Sequence, residues 1–189
     1  MNKLFLIYII IILTLGCSSQ KQNVSFNAND FYTEIESGIK KHNSFENDTE
    51  YFKTKKFNPV KYIFKSLEKQ LKNTNHLVFL FSWVNHLPTT GTMHFQSIVY
   101  DFDNHKKYYC YNFVDNNKNI LIEETLPKDF QTANVVIKNY ELNKIDYLRT
   151  LQNKFSSAEM GQDYLIQEID LLKKTNKTLV LKSVTLDDF

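Results

Sequence analysis

The chain has 189 residues, of which 42% are hydrophobic and 14% aromatic, while only 4 are glycine and 3 are proline. This composition excludes a low-complexity or disordered polymer and fits one compact domain. The formal net charge of +2 gives no long-range field that would attract nucleic acid, so we expect no nucleic-acid partner.

Residues 1–16 are predicted to be an export signal peptide. Lys3 gives the start a positive charge, and residues 4–15 form an uncharged, almost wholly apolar run. This run is shorter than the roughly 20 residues that a helix needs to cross a bilayer. It has the length of the hydrophobic region of a signal peptide.

The apolar run ends in the sequence LTLGC, with Gly16 directly before Cys17. This ending resembles the lipobox of bacterial lipoproteins, although Thr14 stands where that family prefers Leu. The resemblance implies cleavage after Gly16 and attachment of palmitate-type acyl chains through a lipid on Cys17. Ser18 in place of Asp implies the outer membrane if the cell is Gram-negative. The alternatives are a secretory signal with a chance cysteine beside its cleavage site, or a short buried helix.

The rest of the chain divides into a tether and a domain. Residues 17–29 are predicted to be the lipidated cysteine and a polar tether, because their few apolar residues show no period. As a flexible coil, this tether spans roughly 20 Å r.m.s.. Residues 30–189 are predicted to form a single α+β domain.

Two helices are predicted before the first strand. One starts at Asp30 and repeats apolar residues at helical spacing, at Phe31, Ile35 and Ile39. Gly38 is unfavourable within it. The other starts at Asn58 and Pro59, a favourable cap and first helical residue. Its apolar stripe consists of Val60, Ile63, Phe64, Leu67 and Leu71.

Four strands are predicted next, joined by short segments of turn-forming residues. They cover residues 76–84, 93–102, 106–114 and 119–125. The first lacks alternation, which indicates burial on both of its faces. Connections this short join antiparallel neighbours, so we expect a four-stranded β-meander.

The C-terminal part is predicted to add strands and two helices. Residues 134–140 are β-branched and predict a strand, and residues 144–155 predict a helix. A second helix is predicted from Ser156, with a capping box to Glu159 and a stripe of Leu165, Ile169 and Leu172. Residues 178–186 predict a final strand. The expected fold is therefore α+β, an antiparallel meander sheet of five or six strands with helices packed mainly on one face.

Centring each turn on its polar residues predicts the register and a candidate binding surface. The predicted pairs are Val84 with Met93, Phe102 with Lys106, and Val114 with Asn119. One face then holds the apolar residues Val78, Leu80, Phe95, Val99, Tyr109, Tyr111, Phe113, Ile120 and Ile122. The other face mixes aromatic and hydrogen-bonding groups, as recognition surfaces do, at Trp83, His94, Gln96, Tyr108, Asn112 and Glu123. The alternative is a partly solvated face with no ligand.

No catalytic constellation is predicted. Cys110, with Ile98 and Glu123 as expected neighbours, is predicted to be a buried structural thiol, since a nearby carboxylate would raise its pKa. The five histidines show no metal-ligand spacing, so no metal or cofactor is expected. Asp101, Asp103 and His105 are predicted to form a turn.

The sequence predicts only a broad class of function. We expect a lipid-anchored protein of the cell envelope, periplasmic or surface-facing, that binds a protein or a small ligand and is not an enzyme. One alternative is an envelope hydrolase that uses His94, Glu123 or Cys110. Another is a membrane-anchored, immunity-type inhibitor of a toxin.

Overall fold

A computed structural model describes residues 27–41, 59–83, 93–113, 120–152 and 162–185. The predicted signal peptide, Cys17 and nearly all of the tether lie outside these ranges. The helices are α1 (Ala28–Lys41), α2 (Pro59–Ser66), α3 (Gln131–Glu141) and α4 (Ile145–Thr150), and a 3-10 turn, Lys128–Phe130, leads into α3. Within the described residues, none of these helices is both long and apolar enough to cross a membrane.

The strands form one antiparallel sheet. They are β1 (His76–Trp83), β2 (Met93–Asp101), β3 (Lys106–Phe113), β4 (Leu121–Glu123), β5 (Gln162–Asp170) and β6 (Thr175–Val184). The order across the sheet is β4-β3-β2-β1-β5-β6, and all neighbours are antiparallel. The α+β class, the six-stranded sheet and the meander of β1 to β4 are therefore confirmed.

Both faces of the sheet are covered by helices. Leu77, Phe79 and Phe81 of β1 share a core with α1 and α2, on what we call the N-terminal face. Val78 and Leu80 share a second core with α3 and α4, on the C-terminal face. The sequence analysis placed the helices mainly on one face. Because both alternating sets of β1 side chains are apolar, each face needs its own cover.

The predicted strand register is wrong by one residue in each of the three hairpins. The observed pairs include Phe81 with Ser97, Asp101 with Lys106, and Tyr109 with Glu123. The turn after β2 has four residues, 102–105, rather than three, and His105 closes it in the left-handed region at φ 54°. A slip of one residue exchanges the two faces of a strand. Val78 and Leu80 consequently lie on the opposite face from Phe95 and Val99.

Two C-terminal elements also differ from the prediction. The predicted strand at 134–140 is part of α3, since Ala133, Val136 and Ile137 follow a helical period and are buried. The predicted helix that contains Leu165 and Ile169 is β5 in the structure. Leu172 is not in a buried stripe, because it lies in the β5–β6 turn with 61% of its surface exposed. The proposed start at Ser156 lies outside the described residues.

The remaining predicted elements are confirmed. α1 and α2 lie where expected, and the whole apolar stripe of α2 is buried. The helix predicted at 144–155 is the shorter α4, and the final strand is β6. Gly38 is buried in α1, where a Cβ would lie 1.9 Å from Nε2 of Gln167. The glycine therefore allows α1 to approach β5 closely.

Candidate functional site

The six residues of the predicted binding surface do not form one surface. Tyr108 and Asn112 lie on the N-terminal face, whereas Gln96 and Glu123 lie on the C-terminal face. Gln96, Tyr108 and Asn112 are buried. The side chains of the other two, Trp83 and His94, lie outside the described part of the chain. The face assignment behind this surface is wrong because it depended on the shifted register.

Two of these residues tie the sheet to its surroundings. Nε2 of Gln96 donates a hydrogen bond to the Asp129 carbonyl oxygen at 2.8 Å, which joins β2 to the start of the C-terminal helices. The Tyr111 hydroxyl donates to the Glu123 carboxylate. That hydrogen bond, with burial, raises the pKa of Tyr111 to about 12. These contacts are structural.

Cys110 is a buried structural thiol, as predicted. Its side chain is fully buried, and this burial raises the pKa of the thiol. Its cross-strand neighbours are Ser97 and Ile122, and the predicted neighbours Ile98 and Glu123 are wrong by the same one-residue shift. A thiol that stays protonated in an apolar core is a poor nucleophile.

The turn after β2 organises the start of β1, and the prediction of turn chemistry is confirmed. Oδ1 of Asp101 accepts hydrogen bonds from the backbone N–H groups of Asp103 and Asn104 at 3.0 and 3.1 Å. Oδ2 accepts from the Thr74 hydroxyl at 2.6 Å. Asp103 in turn accepts from the backbone N–H of His76 at 3.1 Å. The buried Asp101 therefore helps to fix where His76 enters the sheet.

His76 lies beside a row of residues that crosses five strands on the C-terminal face. Each member is the cross-strand partner of the next. The row runs Lys107, Tyr100, Val78, Glu168, Lys177. The last turn of α3 adds Tyr140 and Glu141 to it, because Tyr140 contacts Glu168 and Glu141 contacts Lys107.

Glu168 is the centre of this arrangement. Its carboxylate lies 3.0 Å from Nε2 of His76 and accepts hydrogen bonds from the Tyr140 hydroxyl at 3.1 Å and from Nζ of Lys177 at 3.4 Å. Burial disfavours its ionised form, but these hydrogen bonds and the positive charge of Lys177 outweigh that effect and lower the pKa of Glu168. Burial, with the Glu168 charge, raises the pKa of Tyr140.

Aromatic rings extend the arrangement from β1 towards β3. The His76 ring stacks on Phe102 with centroids 4.5 Å apart and an angle of 9°, and Phe102 contacts Tyr100 at 4.5 Å. Nζ of Lys107 lies 5.1 Å from the Tyr100 ring centroid and 2.7 Å from Oε1 of Glu141. We call the whole set the His76 cluster: His76, Tyr100, Phe102, Lys107, Tyr140, Glu141, Glu168 and Lys177.

The His76 cluster is fixed in position and open to solvent. The side chains of His76 and Glu168 keep 23% and 22% of their surface exposed. A partly exposed imidazole beside aromatic faces and paired charges can stack against a flat group and exchange hydrogen bonds with polar atoms. Among the described residues, no group of three or more His, Cys, Asp or Glu side chains is arranged to hold a metal ion.

A surface cavity of about 370 Å³ lies between α1 and the β5–β6 turn, and none of the residues that line it belongs to the His76 cluster. Asp30 and Glu34 line its α1 side, and Asp170, the partner of His76 in the β1–β5 pairing, lines the other. Burial disfavours ionisation of Asp170, but hydrogen bonds from Lys173 outweigh it and lower the pKa of that carboxyl. Lys173 thus already satisfies the most buried acid of this cavity.

Sequence reasoning missed the His76 cluster because its members are far apart along the chain. His76 and Glu168 are separated by 92 positions, and the sequence placed Glu168 in a helix. The available signal was the pair of acidic residues, Glu168 and Asp170, beside Leu165, Ile166 and Ile169, since charged side chains are unusual in a strand buried on both faces.

Comparison of the chain with protein-family models, with curated proteins and with solved structures gives no match.

Proposed function

We propose that the chain is a lipid-anchored protein of the cell envelope whose domain binds a protein or a small ligand through the His76 cluster. The anchor follows from the resemblance of LTLGC to a lipobox. Residues 18–27 separate Cys17 from the first residue of α1, a length that suits a tether between a membrane and a domain.

A lipid on Cys17 makes attachment stable. A diacylglyceryl group places two acyl chains in the bilayer, and each buried CH₂ contributes about 0.8 kcal/mol. One chain alone gives only marginal binding, whereas two hold a protein at the surface. On this proposal the protein is anchored to the membrane and does not span it.

The Glu168 carboxylate is the observation that carries the binding role. Donors from β1, α3 and β6 hold it in one position, yet it remains partly exposed. A group that is already ordered loses little conformational entropy when a ligand binds, so more of the contact free energy becomes affinity. The stacked His76 and Phe102 rings supply apolar contact area beside it.

Photocrosslinking in living cells tests the binding role. A photoreactive amino acid in place of Phe102 is expected to give a discrete adduct, and Glu168→Gln in the same chain is expected to weaken it. The matched control is the same amino acid in place of Tyr147, which is exposed on α4 outside the cluster. Absence of an adduct at position 102, or equal adducts at both positions, would contradict the proposal.

The second candidate function is an envelope hydrolase, and one contact favours it. A carboxylate beside a histidine orients the imidazole for use as a general base, and Glu168 and His76 have that relationship. In this alternative the catalytic residues would be His76 and Glu168. The sequence analysis had suggested His94, Glu123 or Cys110 for that role. A hydrolytic activity of the purified protein that Glu168→Gln abolishes, without loss of folding, would favour the enzyme over the binding module.

A further inference from the structure

Four lysines lie along the outer side of α2 and the turns that follow it. They are Lys61, Lys65, Lys69 and Lys72, and all four are exposed. Helical winding continues past Ser66, because the Leu67 and Leu71 N–H groups donate to the carbonyl oxygens of Ile63 and Leu67 at 3.0 and 2.9 Å. At 3.6 residues per turn, the four lysines fall within a sector of about 80° and span about 17 Å. We call them the lysine stripe.

The direction in which the lysines point follows from the burial of the apolar residues on the other side of the same segment. Its apolar residues are buried in the N-terminal core, at Val60, Ile63, Phe64, Leu67 and Leu71. Since these residues occupy the side facing the sheet, the lysines must point away from it. The stripe therefore lies on the outer surface of the N-terminal face.

Three of the four lysines in the stripe, Lys65, Lys69 and Lys72, have no acidic partner among the described residues. Glu68 is the one acidic residue within the stripe segment, residues 61–72. The neighbouring α1 contributes the carboxylates of Asp30, Glu34 and Glu36, which accept hydrogen bonds from the neutral groups of Asn27, Asn176 and Tyr32 and keep their negative charge.

The lysine stripe lies on α2 and the turns that follow it, and α1 and α2 are the first two described helices after Cys17 in the chain. α1 packs against α2 and begins at Ala28. The ten residues 18–27 reach at most about 35 Å when fully extended and roughly 17 Å r.m.s. as a flexible coil. A lipid on Cys17 would therefore hold α1 and α2 within about one domain diameter of the headgroups.

We propose that the lysine stripe docks on anionic phospholipid headgroups, so that the domain lies with α2 against the bilayer. This inference rests on the proposed lipid anchor, which supplies the high local concentration that makes weak surface contacts effective. Each lysine near an anionic surface strengthens binding about fivefold, and the effect decreases within a Debye length of about 10 Å at 0.1 M salt. The C-terminal face, which carries the His76 cluster, then points towards solvent and remains available to a partner.

Chemical footprinting of the acylated, full-length protein tests the docking. The protein is reconstituted into vesicles of phosphatidylcholine alone or with about one third phosphatidylglycerol, and an amine reagent labels its lysines. We expect Lys65, Lys69 and Lys72 to be labelled at least about threefold less in anionic vesicles, and 0.5 M NaCl to remove the difference. Lys128, Lys138 and Lys144, exposed on the opposite face, are the internal control and should label equally in both.

A matched pair of variants extends the test to a residue other than lysine. K65Q/K69Q/K72Q should raise hydroxyl-radical oxidation of Tyr62 in anionic vesicles to its level in phosphatidylcholine. K128Q/K138Q/K144Q, with the same change in charge, should not. Equal labelling of both lysine sets in both vesicle types would overturn the docking even though the protein stays in the vesicles. Failure of the lipid anchor is a different result, in which Cys17 carries no acyl group and the protein does not enter vesicles at all.

Discussion

Nε2 of His76 lies 3.0 Å from Oε1 of Glu168 and joins the first residue of β1 to the last third of β5. Tyr140 and Lys177 bind the other carboxylate oxygen, so one acidic group connects two central strands, a helix and an edge strand. Removing a hydrogen-bond acceptor from a partly buried network costs more than removing an exposed ion pair. Glu168 is therefore a structural centre of the C-terminal face, and it is also the residue on which the proposed binding role depends.

Replacement of Glu168 by Gln is expected to change how stability depends on pH. Because the folded-state pKa lies below its ordinary value of 4.5, ionised Glu168 stabilises the fold fully above pH 4.5. That contribution is lost as the pH falls through the lower, folded-state pKa. Denaturant titrations should find Glu168→Gln less stable than the parent by about 1–2 kcal/mol at pH 7, with a smaller difference below pH 4.

The matched control is Glu124→Gln, because Glu124 is exposed and lies 3.9 Å from Lys106. Its effect at pH 7 should stay below about 0.5 kcal/mol. A Glu168→Gln deficit that is the same at pH 7 and pH 3.5 would show that the charge of Glu168 does not stabilise the fold.

Gly38→Ala is expected to destabilise the protein, although alanine favours helices by about 1 kcal/mol relative to glycine. The added Cβ would meet the Gln167 side chain at 1.9 Å. Either α1 moves outward or Gln167 gives up its hydrogen bond to the Ile35 carbonyl, and such overpacking costs about 1–3 kcal/mol. Thermal or chemical unfolding measures the difference.

In a Gln167→Ala background, Gly38→Ala should stabilise the protein. The obstructing side chain is then absent, and only the preference of alanine for helices remains. If Gly38→Ala stabilised both backgrounds equally, the close approach of α1 to β5 would be incorrect.

Cys110 is expected to be inert in the folded protein. Its thiol is fully buried and its pKa is raised by that burial, so neither access nor ionisation favours reaction. A thiol reagent should modify it only after denaturation. Leu172→Cys is the positive control, since position 172 is well exposed in the β5–β6 turn and should react within the dead time of manual mixing. Rapid reaction of Cys110 in the native protein would reopen the possibility of a catalytic thiol.

The sequence predicted elements wherever local signals agreed with burial. Pro59 and the apolar stripe from Val60 to Leu71 correctly predicted α2. The unbroken apolar run at residues 76–84 correctly predicted β1. The prediction failed where two periods compete. Leu165 and Ile169 fit a helical spacing, but Ile166 and Gln167 between them are buried as well, which is typical of a central strand. The register failed because each of the three hairpins differs from the prediction by one residue. In the turn at 102–105, for example, one extra residue places the side chains of β3 on the opposite face relative to β2.

The His76 cluster could not be predicted from sequence patterns for a related reason. His76 and Glu168 become neighbours only when β5 returns beside β1, a pairing that no turn between adjacent strands specifies. The candidate surface at Gln96, Tyr108 and Asn112 depended on the register and was lost with it. The regular spacing of the lysines is visible in the sequence. The side of the helix on which they lie became known only from the burial of the apolar residues opposite them.

The most direct test of the proposed anchor is the mass of the N-terminal peptide from protein extracted out of bacterial membranes. We expect a peptide that starts at Cys17 and carries the added mass of a diacylglyceryl group, and we expect Cys17→Ser to remain uncleaved and unacylated. A mature peptide that starts elsewhere, or an unmodified Cys17, would contradict the account.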